Sequence, residues 1–135
     1  MDQQLTNLAR SAMPFAEVLG IDIVSADLTA VVGIVAWEPQ RCTVGGVLHG
    51  GYLMAVADSV GALCASLHLP EGATTGTIES KTNFLRPCIG GSLTVTSTPV
   101  HAGRTTIVVQ TDVTTGQDKL VTRTTQTQTI ARSVP

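Results

Sequence analysis

Residues 45–70 read GGVLHGGYLMAVADSVGALCASLHLP and contain a long apolar run. A glycine-rich loop leads into about 18 residues, from Tyr52 to Leu69, that are mostly Leu, Met, Ala and other small apolar types. These residue types favour a helix, and a helix that is apolar nearly all round is expected to be buried. The run ends at Pro70, so we predict one long buried helix at the centre of the protein.

A membrane span is the competing interpretation of this run. Its length is marginal for a bilayer, an aspartate lies at its middle, and no anchoring residues flank it. We therefore expect a helix buried in protein, with no membrane contact.

The N-terminal segment, residues 3–19, has an amphipathic pattern. Its apolar residues recur at offsets of three and four, which predicts a short N-terminal helix with a break near Pro14. The apolar positions are Leu5, Leu8, Ala12, Phe15 and Leu19.

Strands are predicted on both sides of the central run. The segments are rich in β-branched residues, alternate in places, and are separated by short glycine-containing turns, which favours an antiparallel meander in the second half. They cover residues 21–26, 29–37, 74–86, 91–101, 105–115 and 118–131. The threonine-rich last strand needs a covered face. The predicted fold is α+β, a single domain over residues 1–135 with one curved antiparallel sheet around one helix.

Composition excludes several classes of function. The 135 residues are 43% hydrophobic and 13% charged, which argues against disorder. A net charge of −2 and 3% aromatic residues argue against a nucleic-acid partner.

Three cysteines with no C-x-x-C pair suit a reducing cytosol rather than a disulfide framework, and the N-terminus does not resemble a secretory signal. The three histidines lack metal-ligand spacing, so we expect no metal and no cofactor.

Asp58 is the first candidate for chemistry. It is the only formally charged residue from Cys42 through Pro70, and its helical neighbours cannot neutralise it. A desolvated, unpartnered carboxylate is costly and is rarely kept for packing, so a general base or nucleophile facing a cleft is favoured. The structural alternative is a pairing with a distant residue or a place at a wet interface.

His49, Gly50 and Gly51 form the second candidate. A helix N-terminus presents free backbone N–H groups, and glycine there permits close approach of a ligand. Such a site suits an oxyanion that forms on a carbonyl. A plain glycine-rich turn with a capping histidine explains the same residues.

The spacing of the two candidates has a consequence for assembly. Gly50 and Asp58 are separated by eight residues, or about 12 Å along a helix, and cannot both reach one carbonyl. Two antiparallel copies of the helix would bring them together. If they cooperate, the active unit is a two-fold dimer with two shared sites.

Two stretches, GGVLHGGYLMAVADSVGALCA (45–65) and TIESKTNFLRPCIGGSLTVTSTPVHAGR (77–104), resemble the hotdog-fold thioesterases. The resemblance is to the PaaI-type and 4-hydroxybenzoyl-CoA thioesterase group. It implies a homodimer or dimer of dimers that hydrolyses acyl-CoA. It further implies that the Gly50 N–H polarises the thioester carbonyl, that Asp58 of the partner acts as base or nucleophile, and that Thr77 holds the attacking water.

An acyl-CoA substrate suggests further contacts, although a solvated strand face explains each basic residue of the strand half as well. Many members have Asn or Gln six residues before the histidine, where this chain has Thr43, whose hydroxyl has less reach. Tyr52 is expected to line the acyl pocket beside Gly51. Coenzyme A brings phosphates, for which Arg86 within F-L-R-P is the best single candidate. The other cations of the strand half are Lys81, Arg104, Lys119, Arg123 and Arg132.

Two rival functions remain open. A non-catalytic acyl-CoA sensor would usually carry an appended DNA-binding segment, and residues 1–20 are too short and too weakly charged for one. A hotdog hydratase is associated with Asp and His five residues apart, but Leu63 stands at that distance from Asp58.

Overall fold

The structure, a computed structural model, describes residues 1–132. In this range one antiparallel sheet of six strands packs against a long helix, and two single 3-10 turns, Pro39–Arg41 and Val44–Gly46, precede that helix. The helices are α1 (Gln3–Ala12), α2 (Pro14–Val18) and α3 (Gly50–Ser66). The strands are β1 (Asp22–Ala26), β2 (Val31–Ala36), β3 (Thr77–Phe84), β4 (Ser92–Ala102), β5 (Thr106–Thr115) and β6 (Leu120–Thr129).

The core lies between α3 and the concave face of the sheet, as the α+β hotdog prediction requires. Val56, Val60 and Cys64 of the helix are fully buried, as are Val95 and Val109 of the sheet. The predicted central helix is confirmed, although it begins two residues before Tyr52 and ends before Leu69. No helix of residues 1–132 combines the length and the hydropathy needed to cross a membrane.

The sheet order β1-β2-β4-β5-β6-β3 corrects the predicted meander. Of the four strands in the second half, β4, β5 and β6 are neighbours in chain order, whereas β3 pairs with β6 at the far edge. The link from β3 to β4, residues 85–91, contains Pro87 and is too long for a tight hairpin. It crosses the end of the sheet, where Leu48 N–H donates to the Cys88 carbonyl at 2.9 Å.

The last strand acquires the covered face that its threonines require. Alternate residues of β6 point at α3 and are buried, while Arg123 and Thr125 on the other face are exposed. The buried residues are Thr122, Thr124, Gln126 and Gln128. The buried residues are therefore mostly apolar on β4 and β5, apart from the hydrogen-bonded pair Ser97 and Thr111, and mostly polar on β6, apart from Val121.

The N-terminal segment breaks at Pro14 as predicted, because proline occupies the first turn of α2. Of its periodic apolar residues Leu19 is buried, whereas Leu8 is 60% and Phe15 53% exposed. The residues that α1 buries are Thr6 and Ala9. The reason is a polar contact, because Thr6 Oγ1 accepts the Ile23 N–H at 2.9 Å and turns that face towards β1.

A groove of about 290 Å³ separates α1 from the end of α3. Leu8 and Ala12 line one side of it, and Leu63 and Leu67 line the other. A second polar contact spans α1 and β1, where Arg10 Nη2 lies 3.0 Å from Asp22 Oδ1.

Replacing Thr6 by valine should destabilise the fold. Thr6→Val leaves the buried Ile23 N–H without its acceptor, which typically costs about 1–3 kcal/mol. Urea denaturation should show this loss in the free energy of unfolding. Thr125→Val, on the exposed face of β6, is the matched control and should change stability by less than about 0.5 kcal/mol. Equal stability of the two variants would contradict the anchoring role of Thr6.

Candidate functional site

The first turn of α3 is organised by His49. Its backbone is extended, and its Nδ1 accepts the Gly51 N–H at 2.8 Å, so His49 is the N-cap of the helix. The His49 carbonyl accepts the Leu53 N–H at 3.1 Å, the first bond of the helix. Within residues 1–132 the Gly50 N–H has no hydrogen-bond acceptor. One donor at a helix N-terminus, where the helix dipole is positive, therefore remains available to a ligand.

Space for a side chain at position 50 is limited. A Cβ there would lie 3.1 and 3.2 Å from two carbons of the Phe84 ring. Gly50 and Phe84 line a cavity of about 390 Å³ together with Leu53 and Arg86. Arg86 is exposed and its Nη1 donates to the Leu120 carbonyl at 2.7 Å, so the guanidinium lies at the rim.

A second cavity of about 550 Å³ lies on the other side of the same turn. His49, Gly51 and Tyr52 line it, with Phe15 and Leu19 opposite. Tyr52 is fixed as a wall of this cavity. Its hydroxyl donates to the Leu19 carbonyl at 2.7 Å, and the Arg41 guanidinium lies 5.3 Å from its ring centre. Burial raises the pKa of the Tyr52 phenol, and Arg41 partly offsets this effect.

Asp58 differs from its sequence-based description. The expectation of a desolvated, unpartnered carboxylate is wrong for this protomer, because Asp58 is exposed and two side chains bind it. Its Oδ1 accepts from Gln126 Nε2 at 2.7 Å and from Thr77 Oγ1 at 3.1 Å. No donor from residues 1–132 reaches Oδ2. One carboxylate oxygen is held, and the other is free for chemistry.

Gln126 and Gln128 were missed by the sequence reasoning. Both are 1% exposed, and both belong to the polar network beneath Asp58. A signal for them exists in the strand TRTTQTQT. Its even-numbered positions share one face, and glutamines on a covered face must satisfy their amides internally.

The structure brings some predicted residues together and keeps others apart. Thr77 lies against Asp58, His49 against Gly51, and Gly50 shares a cavity with Arg86. Asp58 is separated from Gly50 by eight residues of α3, about 12 Å. Thr43 is exposed in the loop before α3, its N–H donates to the Val47 carbonyl, and it lines neither cavity.

Among the other basic candidates, Arg123 is already engaged. Its Nε and Nη2 each lie 2.8 Å from an oxygen of Asp112 on the outer face of the sheet. These hydrogen bonds raise the pKa of Arg123.

No group of three or more potential metal ligands occurs in the described part of the chain, and its cysteines are all free.

The fold and the helix N-terminus define the class to which the chain belongs. The family model for the thioesterase superfamily matches residues 45–122, the segment that includes α3, β3, β4 and β5. Because this match covers more than half of the chain, the protein belongs to the thioesterase superfamily.

Individual relatives agree with this assignment. The acyl-coenzyme A thioesterase PaaI of Escherichia coli is 35% identical over 108 residues, covering 78% of this chain and 74% of PaaI. A Haemophilus influenzae relative is 43% identical over 75 residues, and this chain spans about half of its length (54%). The crystal structure of a thioesterase from Haemophilus influenzae superposes with a TM-score of 0.88 at 30% identity, covering 97% of this chain and 90% of that one.

Removing the cap of α3 should destabilise the helix. His49→Ala deprives the Gly51 N–H of its acceptor, which should lower the free energy of unfolding by about 0.5–2 kcal/mol. His49→Asn is the matched variant, because an asparagine oxygen can accept the same N–H, and it should be close to the parent in urea denaturation. If His49→Ala is as stable as His49→Asn, the capping role is wrong.

Proposed function

We propose that this protein hydrolyses acyl-CoA thioesters to a free carboxylic acid and CoA. The observation that carries the proposal is the pair of unused groups on α3. Among residues 1–132 the Gly50 N–H has no acceptor, and Asp58 Oδ2 is a carboxylate oxygen that no donor reaches. A thioester hydrolase needs one of each, an oxyanion donor and a base or nucleophile. Membership of the thioesterase superfamily and the identity with PaaI support the reaction class.

In the proposed reaction the thioester carbonyl oxygen accepts the Gly50 N–H. Water attacks the carbonyl carbon while Asp58 takes its proton, the C–S bond breaks, and the thiolate leaves to be protonated to free CoA. Alternatively, Asp58 attacks the carbonyl, the C–S bond breaks and the thiolate leaves as CoA, and water then hydrolyses the mixed anhydride to release the acid and restore Asp58. In the first route Thr77, whose hydroxyl lies 3.1 Å from Asp58 Oδ1, would orient the water.

The proposed active unit is a homodimer, because about 12 Å of helix separates Gly50 from Asp58. One side of α3, which carries Gly51, Met54 and Asp58, is not covered by the sheet. If two copies of α3 run antiparallel, the N-terminus of one lies beside the middle of the other. Each site then combines Gly50 of one protomer with Asp58 of its partner.

Strand β3 supports the same dimer. It forms one edge of the sheet, and most of its residues are exposed, including Ile78 at 60% and Phe84 at 51%. Proteins seldom leave such an edge open, because it pairs readily with another strand. Pairing of β3 with its copy would continue the sheet through the dimer. Further association into a dimer of dimers is proposed from the family resemblance.

The two cavities suggest how the substrate is held. The apolar walls of the larger one, Phe15, Leu19 and Tyr52, suit an acyl group. The smaller one has Arg86 at its rim, which suits a CoA phosphate. Gly50 and Gly51 lie between them, where the thioester carbonyl would sit.

Three free cysteines are compatible with the proposed cytosolic location.

Asp58→Asn should abolish turnover without disturbing the fold. Asparagine keeps an oxygen for the Gln126 donor but cannot act as a base, so kcat should fall at least ~100-fold. Thiol release from a panel of short, long and aryl acyl-CoAs measures turnover, and the thermal midpoint should stay within about 2 °C of the parent. Near-normal turnover would refute catalysis by Asp58. Tight acyl-CoA binding by a parent that releases no thiol would favour a non-catalytic binding protein.

Mixing two inactive chains should restore activity if the site is shared. Asp58→Asn removes the base, and Gly50→Pro removes the oxyanion donor while fitting the first helical position. Half of a random mixture is heterodimer with one intact site of two, so about a quarter of parental activity should return. Gly50→Ala, which keeps the N–H, is the control and should retain more activity than Gly50→Pro. Full activity of a monomer would exclude the shared site.

A further inference from the structure

The side chain of Gln126 occupies an unusual position beneath α3. Gln126 and Gln128 project from β6 into the core and are 1% exposed. Buried amides are expensive unless they are hydrogen-bonded, so both side chains must have partners inside the protein. Gln128 Nε2 donates to Thr75 Oγ1 at 3.1 Å, and Gln128 Oε1 accepts from Gln126. This chain of amides ends at Asp58.

The Gln126 amide has two N–H donors, and both are used. Nε2 lies 2.7 Å from Asp58 Oδ1 and 2.8 Å from Gln128 Oε1. An ionised carboxylate and an amide carbonyl can only accept, so rotating the Gln126 amide by 180° would place oxygen against two acceptors. The orientation of Gln126 is therefore fixed by chemistry as well as by packing.

This orientation leaves the other end of the amide unsatisfied. Gln126 Oε1 is buried and has no hydrogen-bond partner within residues 1–132. It lies against Gly61, where any Cβ would collide with it. A buried acceptor without a partner destabilises a protein, and a glycine in mid-helix does so as well. The Gln126 Oε1, unpaired within residues 1–132, and the mid-helix Gly61 therefore both lower the stability of the protein. Together they allow Gln126 Nε2 to donate a hydrogen bond to Asp58.

We infer that Gln126 is a positioning residue for Asp58, with Gly61 providing the space it needs. The inference rests on the proposed function. By donating to Oδ1, Gln126 restricts the rotation of the carboxylate and leaves Oδ2 without a donor from residues 1–132. Thr77 cannot do this alone, because its single hydroxyl hydrogen is shared between Asp58 Oδ1 and Gln128 Oε1.

Gln126→Met tests this directly, since methionine keeps the length and removes the donor. The kcat for acyl-CoA hydrolysis should fall about 10- to 100-fold, because a misplaced catalytic group loses rate without losing substrate affinity. KM should stay within about two-fold, since Gln126 is buried and touches no substrate. Gln110→Met is the matched control, because Gln110 lies on the outer face of the sheet, and its kcat should be parental.

Gly61→Ala is the second variant, and it keeps every polar group. Its Cβ displaces Gln126 from Asp58, so kcat should fall by a similar factor with KM unchanged. Combined with Gln126→Ala, which vacates the space, it should add nothing to the loss caused by Gln126→Ala alone. Gly116→Ala, at a turn with open space around it, is the glycine control.

The outcomes separate this inference from the proposed function. If Asp58→Asn is inactive while Gln126→Met and Gly61→Ala have parental kcat, positioning by Gln126 is overturned and the hydrolase proposal stands. If Asp58→Asn is active, the proposed function fails and this inference with it. A rise in KM at constant kcat would overturn positioning in favour of a substrate contact. If Gln126→Met does not fold, the Gly61→Ala pair decides, with circular dichroism as the check on folding.

Discussion

The packing of α3 against one face of a single sheet determines which side chains of the helix are buried and which are exposed. A single sheet covers only one side of a helix, so α3 has a buried side, with Leu53, Val56 and Val60, and an open side with Gly51 and Asp58. The buried side supplies the apolar contacts that stabilise the fold. The open side carries the groups that would meet a substrate or a second protomer. Structure and chemistry therefore share one helix without competing for the same residues.

The side chains that face α3 change from mostly apolar to mostly polar across the sheet, and this change is the second determinant of the site. On β4 and β5 the buried residues are mostly apolar, with Ser97 and Thr111 as exceptions, whereas on β6 they are mostly threonines and glutamines. Apolar packing fixes the position of α3 but cannot orient a carboxylate. The amide of Gln126 can, because a hydrogen bond depends on direction. Asp58 thus stays exposed to solvent and is still held in one orientation, which neither an apolar core nor an open surface would achieve alone.

Most of the helices and strands could be predicted because they depend on patterns among residues that are close together in the sequence. The apolar run from Tyr52, the break at Pro14 and the six β-branched segments each depend on neighbouring residues. The failures involve contacts distant in sequence. The edge position of β3 depends on how residues 85–91 cross the sheet, and the burial of Thr6 rather than Leu8 depends on an N–H of β1. For the same reason Asp58 could be singled out from its charge, while its partner on β6, 68 residues away, could not.

The groove beneath α1 has a consequence for motion. Apart from its buried face, α1 contacts the sheet through Thr6 and Arg10, which bind Ile23 and Asp22 of β1. On the side of the groove, part of α1 does not pack against α3. Segments with few buried contacts open at lower free energy than the global unfolding transition. Amide hydrogens of α1 should accordingly exchange with solvent sooner than those of β4, β5 and the buried half of α3. The N-terminal helix would then behave as a separate cooperative unit, able to detach and return while the sheet and its central helix remain intact.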